Sequence, residues 1–244
     1  MASESEPHVI YADEHVIAID KPAGIAVHHA AIFSSQEEDN KEKTIVDFLL
    51  EKYPEIKTVG DDPFLRPGIV HRLDKNTSGV MVVARTKESF EGLKNLFKAR
   101  RVEKKYVAVV CGTVRGKTGR IDFPIGRLVK NPMRRGVERG RSRIRGSRDA
   151  VTEYRVINAG AFYSLLELTP RTGRTHQIRV HLKALGHAVA CDTMYGGKNV
   201  CCPPGATRQL LHARSISFSY PEGRRYYFET DIPREFLLAE DSVL

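Results

Sequence analysis

The sequence predicts a fold that mixes short strands with a few helices, and three patterns indicate it. Apolar runs such as Val80–Ala84 follow clusters of turn-forming residues, which is typical of buried strands. Residues 150–157 alternate between apolar and polar side chains, as a strand with one buried face does. Phe90, Leu93 and Leu96 recur at the spacing of one helix face. With 244 residues and 41% hydrophobic content, the chain can bury one sizeable core, or a main domain with a small appendage.

Two helices are predicted in the N-terminal hundred residues from their capping residues. Thr44 is a candidate cap for a helix through Tyr53, with Asp47 at the capping-box position, and Pro54 ends that helix. Thr86 is expected to start the second helix, which carries the apolar face described above. The strands predicted around these helices cover residues 9–11, 15–20, 80–84 and 104–112.

One helix and several strands are predicted in the C-terminal half. After a Thr-Gly-Arg turn, Ile178, Leu182 and Leu185 fall on one side of a helix, and Gly186 is its expected stop. The predicted strands of this half cover residues 120–125, 150–157, 163–168, 209–213, 216–220 and 226–230.

Neither the histidines nor the cysteines predict a metal site. His176 and His181 are five residues apart, which turns a helix by about 500° and leaves them on different faces. The four cysteines include no Cys-x-x-Cys pair, which argues against a zinc site and against a disulfide framework. Cys201 and Cys202 are adjacent, and Cys111 lies in an apolar run. We therefore expect reduced thiols in a cytosolic protein.

Positive charge is concentrated in one basic segment, residues 127–148. The whole chain has a net charge of +9, which favours a polyanionic partner. The basic segment holds nine Lys or Arg residues against the single acid Glu138, a net of +8. Its glycines are typical of a flexible insertion between strands. A phosphate-binding arm explains the concentration, and a disordered linker is compatible with it if the arm orders on RNA. The basic residues are Arg127, Lys130, Arg134, Arg135, Arg139, Arg141, Arg143, Arg145 and Arg148.

Targeting signals are absent from the sequence pattern. No apolar run approaches the ~18 residues that a membrane-spanning helix needs. Residues 1–6 are acidic and polar, which fits neither a secretory signal nor a mitochondrial presequence. We therefore expect a cytoplasmic protein that does not bind membranes.

The strongest chemical signal is the string from Gly68 to Gly79, which reads Gly-Ile-Val-His-Arg-Leu-Asp-Lys-Asn-Thr-Ser-Gly. Asp74 lies in the loop before the buried strand and is flanked by Arg72 and Lys75. Cations on both sides favour the charged form of a carboxylate, which suits a nucleophile or an electrostatic stabiliser. A surface ion pair is the alternative for an arbitrary aspartate.

This string resembles the signature of the RluA-type pseudouridine synthases, His-Arg-Leu-Asp followed by Thr-Ser-Gly. The resemblance extends over residues 8–235 and implies an α/β (α+β) fold with a long, mostly antiparallel sheet, flanking helices and a central catalytic cleft. We expect a single catalytic domain over residues 1–244 and, since the chain starts directly with predicted catalytic strands, no S4-type RNA-binding domain. Further motifs that resemble those of the family are Lys21–Gly24, which would brace the floor of the site, Lys104–Tyr106, Arg171–Leu182 and Asp192–Gly197.

The resemblance implies that three side chains isomerise uridine in RNA. Asp74 would attack C1′ of the ribose or C6 of the base, and both remain open. Arg179 corresponds to the arginine that pairs with the catalytic aspartate. Tyr106 would stack on the uracil and is also a candidate to remove the C5 proton. The reaction is neither a redox step nor a phosphoryl transfer, so we expect neither a cofactor nor a metal.

Eight further residues are predicted to contact the RNA. A uridine inside folded RNA must be extruded before it can react, and Arg72 is a candidate to fill the gap, with a phosphate contact as the alternative. The expected partner is a structured RNA, either rRNA or tRNA, and the strongly basic segment favours rRNA; no obligate protein partner is indicated. The predicted RNA-contacting residues are His71, Arg72, Arg134, Arg135, Arg174, Thr175, His176 and Gln177.

Three other classes of function compete with this prediction. A non-catalytic RNA-binding or ribosome-assembly protein would keep the basic segment but does not need Asp74, Tyr106 and Arg179 together. A zinc deaminase needs a His-x-Glu motif with Cys-x-x-Cys, which the sequence lacks. A cysteine-dependent RNA methyltransferase needs a Gly-rich cofactor loop after a strand, and no convincing one is present.

Overall fold

The computed structural model describes residues 6–29, 42–139, 143–198, 200–221 and 223–236, so Arg141 of the basic segment lies outside the described residues. The chain forms two compact units, residues 1–102 with 215–230 and residues 103–214 with 231–244. Within the described ranges no helix has the length and apolarity that crossing a membrane requires. The complete elements in those ranges are three α-helices, one 3₁₀ helix (Pro54–Thr58) and twelve strands, and the strands pair in a mostly antiparallel arrangement. The predicted α+β class is therefore confirmed.

The helices are α1 (Ile45–Lys52), α2 (Lys87–Lys98) and α3 (Gln177–Leu185). The strands are β1 (His8–Ala12), β2 (Val16–Lys21), β3 (Ser78–Ala84), β4 (Glu103–Cys111), β5 (Thr118–Ile121), β6 (Ile125–Leu128), β7 (Arg135–Val137), β8 (Ile144–Arg148), β9 (Thr152–Ala159), β10 (Tyr163–Pro170), β11 (Leu211–Ser219) and β12 (Arg225–Glu229).

The first unit is built around β2 and β3. Strand β2 pairs antiparallel with β1 on one side and with β3 on the other, from Val16 opposite Ala84 to Lys21 opposite Gly79. All seven residues of β3 are buried, as its continuous apolar run predicts. The second part of β11 pairs antiparallel with β12 in the same unit.

The predicted helix caps of the first unit are confirmed. The Thr44 side chain accepts a hydrogen bond from the backbone N–H of Asp47, and the Asp47 carboxylate accepts one from the backbone N–H of Thr44. Thr86 forms the same reciprocal box at the start of α2, with Ser89 as its partner. These local bonds fix where both helices begin.

The second unit carries four strands in the order β4-β10-β9-β5, together with α3. Ala108 and Val110 of β4 pack in one core cluster with Ile178 and Leu182 of α3. Gly186 ends α3 with φ +96°, a left-handed conformation that glycine adopts without strain. The predicted helix and its stop are therefore confirmed.

The described residues of the basic segment, 127–139 and 143–148, contribute to a small folded sheet, which corrects the predicted flexible insertion. Its strands pair antiparallel in the order β7-β6-β8. Gly126 lies opposite Gly136, and a Cβ atom on Gly126 would come within 2.8 Å of the Arg145 carbonyl oxygen. Leu128 and Ile144 fill the space beside Gly136. These glycines allow close packing, which their spacing in the sequence does not reveal.

Two disulfides, Cys111–Cys201 and Cys191–Cys202, correct the prediction of reduced thiols. Their partners are 90 and 11 residues apart, so no short spacing signals them. Tertiary contacts bring them together: the backbone N–H of Cys111 donates to Ala188, and the N–H of Cys191 donates to the carbonyl of Cys201.

A buried carboxylate, Asp13, ties the N-terminal hairpin to β12. It accepts the backbone N–H groups of His15 and Val16, each at 2.8 Å, and the hydroxyl of Tyr226 at 2.6 Å. Arg224 forms an ion pair with it at 2.9 Å. Burial alone would raise the pKa of Asp13, but the hydrogen bonds outweigh burial and lower it from 3.8 to about 2.

We predict that Asp13→Asn lowers the free energy of unfolding by about 2 kcal/mol at pH 7. Because the folded pKa lies below the unfolded value, this stabilisation is present above about pH 4 and is lost as the pH falls towards about 2. Urea unfolding at pH 7 and below pH 4 measures the difference, which should shrink in acid. Asp61→Asn is the control, since that carboxylate pairs with Lys94 on the surface. A difference for Asp13→Asn that is independent of pH would contradict the prediction.

Candidate active site

Asp74 lies on a tight loop directly before β3. The loop closes through a hydrogen bond of 3.0 Å from the backbone N–H of Thr77 to the Asp74 carbonyl oxygen. Leu73 and Thr77 are buried on either side, whereas Asp74 is half-buried. The loop therefore holds Asp74 at the edge of the core, where the residue is partly exposed.

Lys21, from the Lys-Pro-Ala-Gly motif, anchors this loop. Its side chain is fully buried at the end of β2. The carbonyl of Lys75, directly after Asp74, accepts hydrogen bonds from the Lys21 ammonium and from the backbone N–H of Gly24. The acceptors of the ammonium are the carbonyl oxygens of Pro22 at 2.7 Å, Ile25 at 2.8 Å and Lys75 at 3.0 Å. Charge-assisted bonds of this kind hold the backbone beside Asp74 in one position.

His71 packs between β3 and α2. Its Nε2 accepts the backbone N–H of Val82 at 3.0 Å, which assigns the proton of a neutral imidazole to Nδ1. Its ring stacks on Phe97, with centroids 4.9 Å apart. The structure thus gives His71 a packing role that the sequence did not indicate, and its contact with RNA stays a prediction.

The two cations that flank Asp74 differ in their surroundings. Lys75 forms an ion pair with Glu42. Arg72 is exposed and, within the part of the chain that the structure describes, makes no hydrogen bond or ion pair. Its guanidinium is therefore available to a ligand without first breaking an internal contact.

Arg179 is fixed by a buried ion pair in the second unit. Its Nε and Nη2 donate to the two carboxylate oxygens of Asp192 at 2.7 and 2.9 Å. The side chains are only 7% and 0% exposed, so water screens the pair very little. The partner Asp192 is thirteen residues away, in the turn that sequence analysis noted only as a motif.

Tyr106 is positioned by the same core as α3. It is half-buried on β4, opposite Leu168 of β10. Because alternate residues of a strand share a face, its ring lies on the side of Ala108, and it packs against the cluster that contains Ile178 of α3. Tyr106 and the helix that bears Arg179 therefore rest on one set of apolar side chains.

Gln177 has a structural role that the sequence did not indicate, and its RNA contact stays a prediction. It is 4% exposed, and its side-chain amide is saturated within the protein. Its oxygen accepts from the Thr172 hydroxyl at 2.7 Å and from the backbone N–H of Arg174 at 3.0 Å. Its nitrogen donates to the Val151 carbonyl and the Thr152 hydroxyl, both at 3.0 Å. The amide thus ties the start of α3 to β9.

The other predicted contacts of this motif surround the start of α3. Arg174 donates through Nε to the carbonyl of Asp149 at 3.0 Å, and Thr175 is half-buried. His176 caps α3 in a left-handed conformation, φ +56°, with its Nδ1 2.8 Å from the Tyr195 hydroxyl. All three lie at a polar, partly exposed helix end, so their RNA contacts stay predictions.

The predicted site residues therefore form two sets, one in each unit. Asp74, His71 and Arg72 belong to the first unit, and Tyr106 and Arg179 belong to the second. The residues of the second unit that are predicted to contact RNA are Arg134, Arg135, Arg174, Thr175, His176 and Gln177.

The sequence motifs mark three side chains. They are a half-buried aspartate on a loop of one unit, and a buried arginine and a strand tyrosine of the other. The profile of the RNA pseudouridylate synthase family matches residues 15–184, which include all three. This chain belongs to that family of RNA-modifying isomerases.

The chain can also be compared with individual relatives. The chain is 37% identical to the ribosomal large subunit pseudouridine synthase D of Pseudomonas aeruginosa, over 97% of this chain and 72% of the relative. It is 40% identical to the protein of the same name from Xanthomonas campestris, over 88% of this chain and 62% of the relative. The chain thus spans about two thirds of the length of these relatives.

Solved structures share the fold. The human RNA Pseudouridylate Synthase Domain Containing 1 protein superimposes with a TM-score of 0.75 at 24% identity, over 95% of this chain and 85% of the other. The human RNA Pseudouridylate Synthase Domain Containing 4 protein superimposes with a TM-score of 0.70 at 25% identity, over 96% of this chain and 92% of the other. The pseudouridine synthase fold expected from the motifs is therefore confirmed.

We predict that Lys21→Met lowers the free energy of unfolding by about 3 kcal/mol, because it removes three charge-assisted hydrogen bonds that a fully buried ammonium makes. Urea unfolding measures this loss. Lys75→Met is the matched control on the same loop, and it should change the free energy by less than about 1 kcal/mol because its ion pair is exposed. Equal losses in both variants would show that Lys21 does not anchor the loop.

Proposed function

We propose that this protein isomerises specific uridines of large-subunit ribosomal RNA to pseudouridine, with Asp74 as the nucleophile. The family supports an RNA substrate, and the relatives from Pseudomonas and Xanthomonas carry names that specify the large ribosomal subunit. These relatives are bacterial, so we also propose that the protein acts in the cytoplasm. We further propose that the two units act as a single catalytic domain, since the motif residues come from both.

The observation that supports catalysis most strongly is the anchored but accessible loop of Asp74. A nucleophile must be held close to the reactive geometry while it remains open to the substrate. The half-buried carboxylate beside a backbone fixed by Lys21 meets both needs. A protein that only binds RNA needs no such anchoring of one carboxylate.

The chemistry balances as an isomerisation. The bond between C1′ and N1 breaks, a bond between C1′ and C5 forms, and the proton of C5 leaves while N1 gains one. Asp74 bonds to C1′ or C6 as the bond between C1′ and N1 is broken, and this bond to Asp74 breaks again when, or after, C5 joins C1′, which restores the free carboxylate. Tyr106 stacks on the uracil while it turns, and Arg179 pairs with the Asp74 carboxylate to hold it charged. No electrons are gained or lost, so these residues suffice without a redox cofactor.

The basic sheet offers a surface for the RNA backbone. Arg127 lies directly opposite Arg135 on one side and Arg145 on the other, so three arginines form a row across the sheet. Like charges at opposite positions of a sheet destabilise it. A row of RNA phosphates neutralises this charge and releases counterions. We propose that this arginine row binds the phosphate backbone, with Arg134 beside it.

The salt dependence of RNA binding tests the arginine row. We predict that the double variant Arg127→Gln with Arg145→Gln weakens binding and reduces the slope of log K against log salt by roughly one to two. Filter binding of RNA at salt concentrations from 50 to 200 mM measures both the binding constant and this slope. Arg155→Gln is the control, since its exposed side chain pairs with Glu167 on another strand. An unchanged slope in the double variant would place the RNA elsewhere.

Release of tritium from RNA that carries 5-tritiated uridine tests the nucleophile. We predict that the wild type releases tritium and that Asp74→Asn, which keeps the size of the side chain, releases none above background. The control is Asn76→Ala, an exposed residue of the same loop, which should keep its activity. Equal release by the wild type and Asp74→Asn would remove Asp74 from the mechanism. Tight RNA binding by a wild type that releases no tritium would favour a non-catalytic RNA-binding protein.

A further inference from the structure

A buried turn holds Asp192 in place before it contacts Arg179. Its Oδ1 accepts the backbone N–H groups of Met194 and Tyr195, each at 3.0 Å. Its backbone carbonyl accepts the N–H of Gly196 at 2.7 Å. A carboxylate that is fixed by its own turn cannot follow a moving arginine. The geometry of the turn therefore sets the orientation of the Arg179 guanidinium.

Tyr195 holds the same guanidinium from another side. Its ring centre lies 5.0 Å from the Cζ atom of Arg179, a cation–π distance. Its hydroxyl lies 2.8 Å from Nδ1 of His176, at the start of α3. The hydroxyl also accepts the backbone N–H of Arg135 at 3.0 Å. One buried side chain thus joins the arginine, the helix that carries it and strand β7 of the basic sheet.

We propose that Asp192 and Tyr195 are positioning residues for catalysis, which act only through Arg179. Asp192 fixes the plane of the guanidinium through the Nε and Nη2 edge, and Tyr195 supports its face. A guanidinium bonded in this way directs its Nη1 side away from Asp192. The proposal rests on the proposed function, in which this side meets the Asp74 carboxylate.

The hydrogen bond between Tyr195 and Arg135 also connects the support of Arg179 to the basic sheet. Arg135 belongs to the arginine row, so the segment that meets the RNA backbone is bonded to the residue that supports Arg179. The hydroxyl of Tyr195 thus connects the arginine row to Arg179 through the backbone of β7. Removing that hydroxyl should slow the chemical step and leave RNA binding through the arginine side chains in place.

A double-mutant cycle on single-turnover rates tests the proposal. We expect Asp192→Asn, which keeps the acceptor for the turn but loses the charge, to lower the rate at saturating RNA roughly 100-fold, as small misplacements of catalytic groups do. The RNA dissociation constant should change by less than about threefold, since the arginine row is intact. In the Arg179→Met background the same substitution should change the rate by less than about threefold. Losses that multiply in the double variant would overturn the proposal.

Matched variants keep this test independent of folding and of the proposed function. Thr193→Ala, an exposed residue of the same turn, should keep the wild-type rate, and a loss equal to that of Asp192→Asn would overturn a specific role. If Asp192→Asn does not fold, the Tyr195→Phe variant tests the proposal instead, because it keeps the aromatic ring and removes only the hydroxyl. We expect this variant to have a single-turnover rate roughly tenfold below that of the wild type. An unchanged rate would overturn the proposal. A wild type without activity would overturn the proposed function itself, whereas an active wild type with an unimpaired, folded Asp192→Asn overturns only the positioning roles.

Discussion

A lysine ammonium buried at the end of β2 is the constraint on which the loop of Asp74 depends. A buried charge is costly unless hydrogen bonds replace its hydration. Lys21 obtains such bonds from backbone carbonyls of its own motif and of the Asp74 loop. Moving the loop away would leave the ammonium short of acceptors. The same contact that stabilises the first unit therefore keeps the carboxylate of Asp74 in a defined place.

The second unit uses the same physical device for a different side chain. Arg179 is buried, and its charge is compensated by two short bonds to Asp192, which is itself held by the N–H groups of its turn. A bidentate pair restricts the guanidinium more than a single bond does. Buried charges that are held by short hydrogen bonds thus fix one group of the proposed site in each unit. Apolar packing in the second unit supports both Tyr106 and α3, the helix that carries Arg179.

Local signals in the sequence predicted what local bonds determine. The capping pairs of Thr44 with Asp47, the stop at Gly186 and the buried run before Ala84 all depend on residues a few positions apart, and all are confirmed. Contacts between segments that are distant in the sequence could not be predicted from local patterns. The amide of Gln177 reads as polar and accessible in the sequence, yet Val151 and Thr152 bond its nitrogen and Thr172 and Arg174 bond its oxygen.

The same limit explains the two larger corrections. The disulfides join cysteines that only the folded loops bring together. The basic segment reads as flexible because of its glycines, but one of them, Gly136, faces Gly126 of the same small sheet, where bulky side chains pack. Asp192 was part of a recognised motif, and its partner Arg179 became evident only from the geometry. Sequence motifs predicted the residues of the site, while the tertiary structure identified the partners of those residues.

Mapping pseudouridines in ribosomal RNA most directly tests Asp74 as the nucleophile of an RNA isomerase. Total RNA would be compared from cells that contain the wild-type protein, the Asp74→Asn variant or neither. We predict at least one uridine of the large-subunit RNA that is converted only in the presence of the wild type. Conversion of the same uridine by Asp74→Asn would contradict the central role of this carboxylate.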